Sequence, residues 1–421
     1  MPRVRLRPLL LLLSFLSALA SLRGAQAKDF YFWTQATATG LEARAVVEDG
    51  VCPGATIDGA EAKMRLRAPA SKAFPVTTCA LDIPKAAGAA TIAGRRIPLP
   101  PARIDRILLV GDTGCRLSVL ESQDCNSMRS WPFRLVADLA AERAPDLVIH
   151  LGDVVYRERP CSPAIKGCAG SPFGDNFDTW KADWLEPAKA LLETAPIVFV
   201  RGNHEDCKRN GLGWTRFLSA FPFAEGCNPQ EEPYFFDLGD RTLAVLDVTR
   251  AEDRISDEVL APFFHEEFAA LAGGRPVWIA MHKPVYAVAR MKDGALEGEN
   301  KTLSAAVGGG AMPQNVEAAL SGHMHLFEAL SYAQDFPAQI VAGMGGTRLD
   351  TLAPPTLDGQ RLGDMSFARA TTVTGKFGYA MLERQRDGWL VQDFDAHGAT
   401  LARCTLSGRK LACEQDHRAV P

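Results

Sequence analysis

The sequence predicts an α/β layer fold preceded by a small all-β domain. Three features carry that expectation. From Ile104 onward, short apolar runs that favour strands alternate with amphipathic stretches. Several of the runs stop at a glycine-bearing polar motif rather than fading into a linker. Residues 28–102 have a different texture, rich in Ala, Val, Thr, Gly and Pro, with two-residue alternation such as Leu41 to Val47.

The chain has 421 residues, enough for two or three structural units. Hydrophobic residues make up 47%, which supplies a large core, and a net charge of −4 offers no basic surface for nucleic acid.

Residues 1–27 stand apart. Three arginines precede the apolar stretch Leu9–Leu22, and Ala25-Gln26-Ala27 follows. This reads as a secretory signal peptide cut after Ala27. The alternative, a membrane anchor, is disfavoured because the run is shorter than the roughly 20 residues a spanning helix needs. The expected location is therefore exported, periplasmic or extracellular, with no stable membrane anchor after cleavage. Ten cysteines fit an oxidising compartment, and no Cys-x-x-Cys spacing occurs. The simplest pairing joins consecutive cysteines into five local disulfides, although spacing alone leaves other pairings open.

Residues 28–102 are expected to form the small β domain, stapled by Cys52 and Cys79, with Ile97 to Pro101 as its linker. Residues 103–421 are expected to form the catalytic domain. Its strand-like runs are Ile107–Val110, Leu147–Leu151, Ile197–Val200, Leu243–Leu246, Val277–Ala280 and Ile340–Ala342. Trp131–Arg143 and Thr179–Thr194 carry helical spacing of apolar residues. A β extension over 375–421 has turns at Arg386-Asp387-Gly388, His397-Gly398 and Ser407-Gly408, and Cys404 and Cys413 would clip its last hairpin. Asn300-Lys301-Thr302 is a glycosylation sequon.

Five motifs each follow an apolar run. They are Gly111-Asp112-Thr113-Gly114, Gly152-Asp153-Val154-Val155-Tyr156, Gly202-Asn203-His204-Glu205, the single His282, and Gly322-His323-Met324-His325. In open α/β sheets, ligands gather at the carboxyl ends of strands. Asp112, Asp153, Tyr156, Asn203, His282, His323 and His325 make seven ligand groups. If Asp153 bridges, they make eight bonds, four to each of two ions, and leave open positions for water and substrate. In an extended Gly-His-Met-His, His323 and His325 project to one side. Gly343-Met-Gly-Gly346 lacks the lysine and Ser/Thr of a nucleotide loop and reads as a tight turn near the site.

The order Asp-x-Gly, Gly-Asp-x-x-Tyr, Gly-Asn-His-Glu, lone His, Gly-His-x-His resembles the calcineurin-like metallophosphoesterases, and within them the purple acid phosphatase branch. The resemblance covers about residues 104–350. It implies a β-sandwich flanked by helices with a dinuclear centre at the strand ends. It also implies that Asp112, Asp153, Tyr156 and His325 hold a ferric ion. Asp153, Asn203, His282 and His323 would hold a divalent ion (Fe, Zn or Mn). His204 would be a catalytic non-ligand that contacts phosphate and protonates the leaving group. Gly114 stands where other superfamily members carry a histidine, and Tyr156 supplies a ligand instead. A phenolate is a hard anionic donor suited to Fe(III). Charges of +5 on the metals and −3 on the ligands, with a bridging hydroxide, leave about +1 to attract a phosphate.

The implied activity is hydrolysis of a phosphorylated small molecule, most simply a phosphomonoester, by in-line attack of a metal-activated hydroxide. A phosphodiesterase or nucleotidase with the same metals is the nearest alternative. A non-catalytic metal- or phosphate-binding protein is the alternative from another class. Plant-type relatives carry further histidines between the fourth and fifth motifs, and this chain has none between His282 and His323. Arg116, Arg157, Arg201, Lys208 and Lys283 lie near the motifs as candidate phosphate contacts. Cys115–Cys125, Cys161–Cys168 and Cys207–Cys227 would brace the loops that rim the site.

Overall fold

A computed structural model describes residues 30–308 and 312–414. The segment expected to be a signal peptide lies outside them. Among the described residues, no helix is long and apolar enough to cross a membrane.

Two twisted sheets face each other. The larger has eleven strands and carries Arg106–Val110, Leu147–His150 and Ile197–Phe199 side by side and parallel. The smaller has eight and carries Thr242–Leu246, Val277–Met281, Val316–Ser321 and Ala338–Ala342, again parallel. All six apolar runs are strands. Their lack of polar alternation has a direct cause, because both faces are covered. Ile107, Leu109, Ile149 and Val198 point between the sheets, against Leu243, Trp278, Ala318 and Ile340. Leu108, Val110, Val148 and Phe199 point outward, under Phe133, Val136, Ala140 and Trp184. On the far side, Ile279 and Met281 pack beneath Phe264, Phe268 and Leu303. The result is a β-sandwich with helices on both outer faces.

The helix expected over Trp131–Arg143 runs Phe133–Glu142. The one expected over Thr179–Thr194 is segmented into Phe177–Trp180, a π-turn at Lys181–Leu185, and Lys189–Leu192. The π-turn places Asp183 inward, fully buried, where the site uses it. The C-terminal extension follows its turn signals: Gly378–Gln385, Gly388–Asp395, Thr400–Ser407 and Lys410–Cys413 form a meander that pairs antiparallel with Arg106–Val110. All five consecutive disulfides are present, and no described cysteine is free.

The boundary expected at residue 102 does not coincide with a sheet boundary. Tyr31–Thr37 pairs in parallel with Ile197–Phe199 through Gln35 and Ile197, and Gly40–Val47, Thr77–Ile83 and Arg65–Ala68 continue the same sheet. Only Gly54–Ile57, Ala60–Lys63, Ala90–Ile92 and Arg95–Arg96 form a separate small sheet. Leu41–Val47 was expected to be half-buried. Its polar positions are covered instead, since Glu42 and Arg44 pair at 2.6 Å and Arg44 donates to the Phe217 and Ser219 carbonyls. The sequon asparagine is also inside. Asn300 is 2% exposed, accepts from the Leu303 N–H as a helix cap, and donates to Asp253, which leaves no room for a glycan.

Candidate metal centre

Every motif lies at the carboxyl end of a parallel strand, on the one edge of the sandwich where the two sheets meet. Asp112, Asp153 and Asn203 follow strands of the larger sheet. His282 and His323 follow strands of the smaller, and His325 lies on the same turn. Asp112, Asp153 and His323 all have positive φ, at 56°, 55° and 69°. Backbone held in this region costs energy and is retained where packing over-determines it.

The first group of donors surrounds the Tyr156 hydroxyl. Its oxygen lies 2.8 Å from Asp112 Oδ1, 2.6 Å from Asp153 Oδ2 and 3.0 Å from His325 Nε2. His325 Nε2 is 3.4 Å from Asp112 Oδ1. Donors bound at about 2.1 Å to one octahedral ion stand about 3 Å apart, which matches these spacings. The second group centres on the other side of Asp153 Oδ2. His282 Nε2 lies 3.1 Å from that oxygen, and ligand atoms of Asp153, His282 and His323 fall within 4.8 Å of one another. Asp153 Oδ2 therefore faces both groups, as a bridging oxygen must.

Each aspartate commits only one oxygen to the centre. Asp112 Oδ2 accepts the His323 N–H and Asp153 Oδ1 accepts the His204 N–H, so each carboxylate is locked by a motif from another loop. Both outer imidazoles are oriented the same way. His282 Nδ1–H donates to the Leu151 carbonyl at 2.7 Å and His325 Nδ1–H to the Arg348 carbonyl at 2.7 Å, which turns the Nε2 lone pairs inward. His323 Nε2 faces Asp253 at 3.4 Å, itself held by Lys283 and Asn300.

The donors fit cations. Asn203 Oδ1 is buried without a hydrogen-bond partner, and His282 Nε2 meets only the Asp153 carboxylate. An unpartnered buried atom is costly unless something in the site satisfies it. Although burial opposes it, Asp153 pushes His282 up to about 9, so this pocket draws positive charge. Burial together with Asp112 and Asp153 raises the Tyr156 phenol well above its ordinary value, while Arg116 pulls it down. His150, beneath the floor, is not a ligand: burial drives it down to about 3, and its Nε2 meets Thr113 Oγ1.

Two glycines explain how the loops approach so closely. A Cβ on Gly114 would lie 2.6 Å from the Tyr156 nitrogen and 2.8 Å from the Val154 carbonyl. No histidine fits there, because the backbone of Tyr156 packs directly against this glycine. A Cβ on Gly202 would lie 2.1 Å from Asp153 Oδ1.

Three acids hold the frame and were not picked out from the sequence. Glu205 is fully buried and accepts four backbone N–H groups, from Asp153, Val154, Val155 and Gly202. Burial and Asp153 push its carboxyl up to about 8, and the four donors, which need acceptor oxygens, oppose that shift. Asp183 accepts the Cys115 and Tyr156 N–H groups and pairs with Arg157. Glu158 Oε1 lies 2.6 Å from His204 Nδ1. Burial notwithstanding, His204 and Arg209 hold Glu158 below its ordinary value. His204 lies against Tyr156 with ring centroids 4.0 Å apart and the planes tilted by 39°, and its Nε2 is 3.9 Å from Asp153 Oδ2. Glu205 carried a signal in its motif. Glu158 and Asp183 meet their partners only through the fold.

The expected turn at Gly343–Gly346 packs against the first motif, with the Gly345 N–H donating to Gly111 O and the Thr347 N–H to Asp112 O. Beside the centre lies a cleft of about 860 Å³, lined by His323, His325, Arg116, Asp253, Arg348 and Asp350 among others.

The family model for calcineurin-like phosphoesterases matches residues 105–327. Two solved structures resemble the chain in fold. A purple acid phosphatase, PPD1 from yellow lupin (Lupinus luteus) seeds, has a TM-score of 0.55 and 14% identity, covering 89% of this chain and 73% of that one. PhoD has a TM-score of 0.54 and 10% identity, covering 91% of each chain. No curated protein matches. The family implies a hydrolase of phosphoesters with a dinuclear metal centre. The matched segment exceeds half of the sequence and contains all five motifs, and the chain belongs to the calcineurin-like phosphoesterase family.

Proposed function

We propose that the protein is an exported acid phosphatase-like enzyme that hydrolyses phosphomonoesters at an Fe(III)–M(II) pair. The observation that carries the reading is the double role of Asp153 Oδ2, shared between a tyrosine-containing and a histidine-rich donor group, with His204 poised 3.9 Å away. Asp112, Asp153, Tyr156 and His325 would hold the ferric ion. Asp153, Asn203, His282 and His323 would hold the divalent one. When bound, the ions polarise phosphoryl oxygens and activate water. A buried phenol flanked by two carboxylates gives up its proton only to a strongly charged cation, which favours Fe(III) at this position.

His204 supplies the proton. With both ring nitrogens protonated, Nδ1–H donates to Glu158 and Nε2–H faces the site, from where its proton passes to the leaving oxygen and leaves the neutral Nδ1–H ring. Asp153 Oδ1 fixes the backbone of the same residue. Export is supported by the leader-like residues 1–27 and the five disulfides.

The decisive experiment pairs assays with metal analysis. His204→Ala should retain both metals while kcat falls by about 10²–10⁴-fold. Loss of metal in that variant would contradict the assigned role. A chromogenic monoester should be turned over faster than the matching diester, and the reverse order would establish a phosphodiesterase. Metal binding without turnover of either would leave a binding protein.

A further inference from the structure

Five basic residues flank the motifs in sequence, and the fold separates one from the rest. Arg157 is buried against Asp183, and Arg201 against Asp247 at 3.1 Å. Lys283 donates to the Ala251 carbonyl and faces Asp253. Lys208 is exposed and does not line the cleft. Arg116 does line it, beside His323 and His325, with its guanidinium carbon 4.8 Å from the centre of the Tyr156 ring. Its Nε is buried and has no hydrogen-bond partner. Leaving a donor of a permanently charged group unmatched in a buried position is expensive.

The backbone beneath Arg116 is unusually well fixed. Its N–H donates to Gln123 Oε1 and its carbonyl accepts the Gln123 N–H, both at 2.8 Å. The residue before it is cross-linked to Cys125, and the residue after it bridges to Arg157. The side chain therefore starts from a rigid position, and the ring contact with Tyr156 holds the guanidinium in place without giving it an oxygen acceptor. Other cations of the cleft are already paired: Arg290 with Glu297, Lys301 with Glu299, Arg348 with Glu121. Arg254 is exposed. The segment 283–322 offers no imidazole. A planar fork of donors with a fixed origin suits two oxygens of a phosphoryl group.

We infer that Arg116 is a substrate-binding residue that takes the phosphoryl oxygens of the ester in its guanidinium fork. The inference rests on the phosphoester-hydrolase reading and adds to it the group that stands in for the missing histidines.

The test is calorimetric titration of metal-loaded wild type, Arg116→Gln and Arg116→Lys with inorganic phosphate, alongside metal content and steady-state kinetics. Arg116→Gln should bind phosphate about 10- to 100-fold more weakly and raise KM for a monoester, with both metals kept. Arg116→Lys should recover part of the phosphate affinity, since charge returns without the fork. Equal phosphate affinity in wild type and Arg116→Gln overturns the assignment of Arg116 alone. So does loss of metal in both variants, which would make the residue a support for Tyr156. A wild type that neither binds phosphate nor cleaves an ester overturns the phosphoesterase reading as well.

Discussion

Around Tyr156 the donor atoms are tied to one another, whereas around His282 they are tied outward. The phenol reaches two carboxylate oxygens and an imidazole nitrogen at 2.6–3.0 Å, so one proton satisfies that half from within. In the other half, His282 and His323 are anchored from behind by Leu151 O and Asp253, Asn203 Oδ1 faces the centre with no hydrogen-bond partner, and His282 Nε2 faces it beside Asp153 Oδ2. The first half must lose a proton to take a cation. The second loses one more easily, from His282 Nε2, which lies 3.1 Å from Asp153 and is pushed up only to about 9, below the phenol. The difference teaches that one scaffold can discriminate between two ions through proton inventory as well as ligand type.

Asp153 belongs to both halves, so Asp153→Asn is the severest way to break the contrast. It should empty both positions and lower kcat by on the order of 10³-fold or more, read by metal analysis and monoester assay. Retention of either ion would show that the halves are independent. Tyr156→Phe removes the proton from the first half only. It should abolish a tyrosinate–iron absorption band while the divalent ion stays, and a band that persists would remove the phenolate from the ligand set. Glu205→Gln leaves two of four backbone N–H groups facing an amide N–H₂. It should weaken metal binding about 10- to 100-fold by chelator competition. Reduction of the disulfides is the mildest probe. It should lower metal occupancy before the protein unfolds, followed by metal release against circular dichroism. Coincident loss would reduce the three rim disulfides to general stabilisers.

The motifs were legible because each candidate donor sits within a few residues of its own strand end, and local apolar runs announce those ends. The consecutive cysteine pairs were legible for the same reason: each closes a short local loop. Residues 28–102 read as a small domain of their own, and the pairing of Gln35 with Ile197 spans a distance in sequence that periodicity cannot see. The broken helix at 181–185 has a similar origin. Asp183 turns inward to serve Cys115, Tyr156 and Arg157, and nothing in the apolar spacing records those partners.

The sequence by itself determined the donor types, their order and their attachment to strand ends, since strand-forming runs and turn chemistry act over short stretches of chain. The tertiary structure alone decided which oxygen of Asp153 faces both donor groups, which acid orients His204, and that Arg116 Nε at the cleft has no hydrogen-bond partner. Contacts such as His204 with Glu158 and with Asp153, 46 and 51 positions apart, are made by tertiary packing and not by local chain preference.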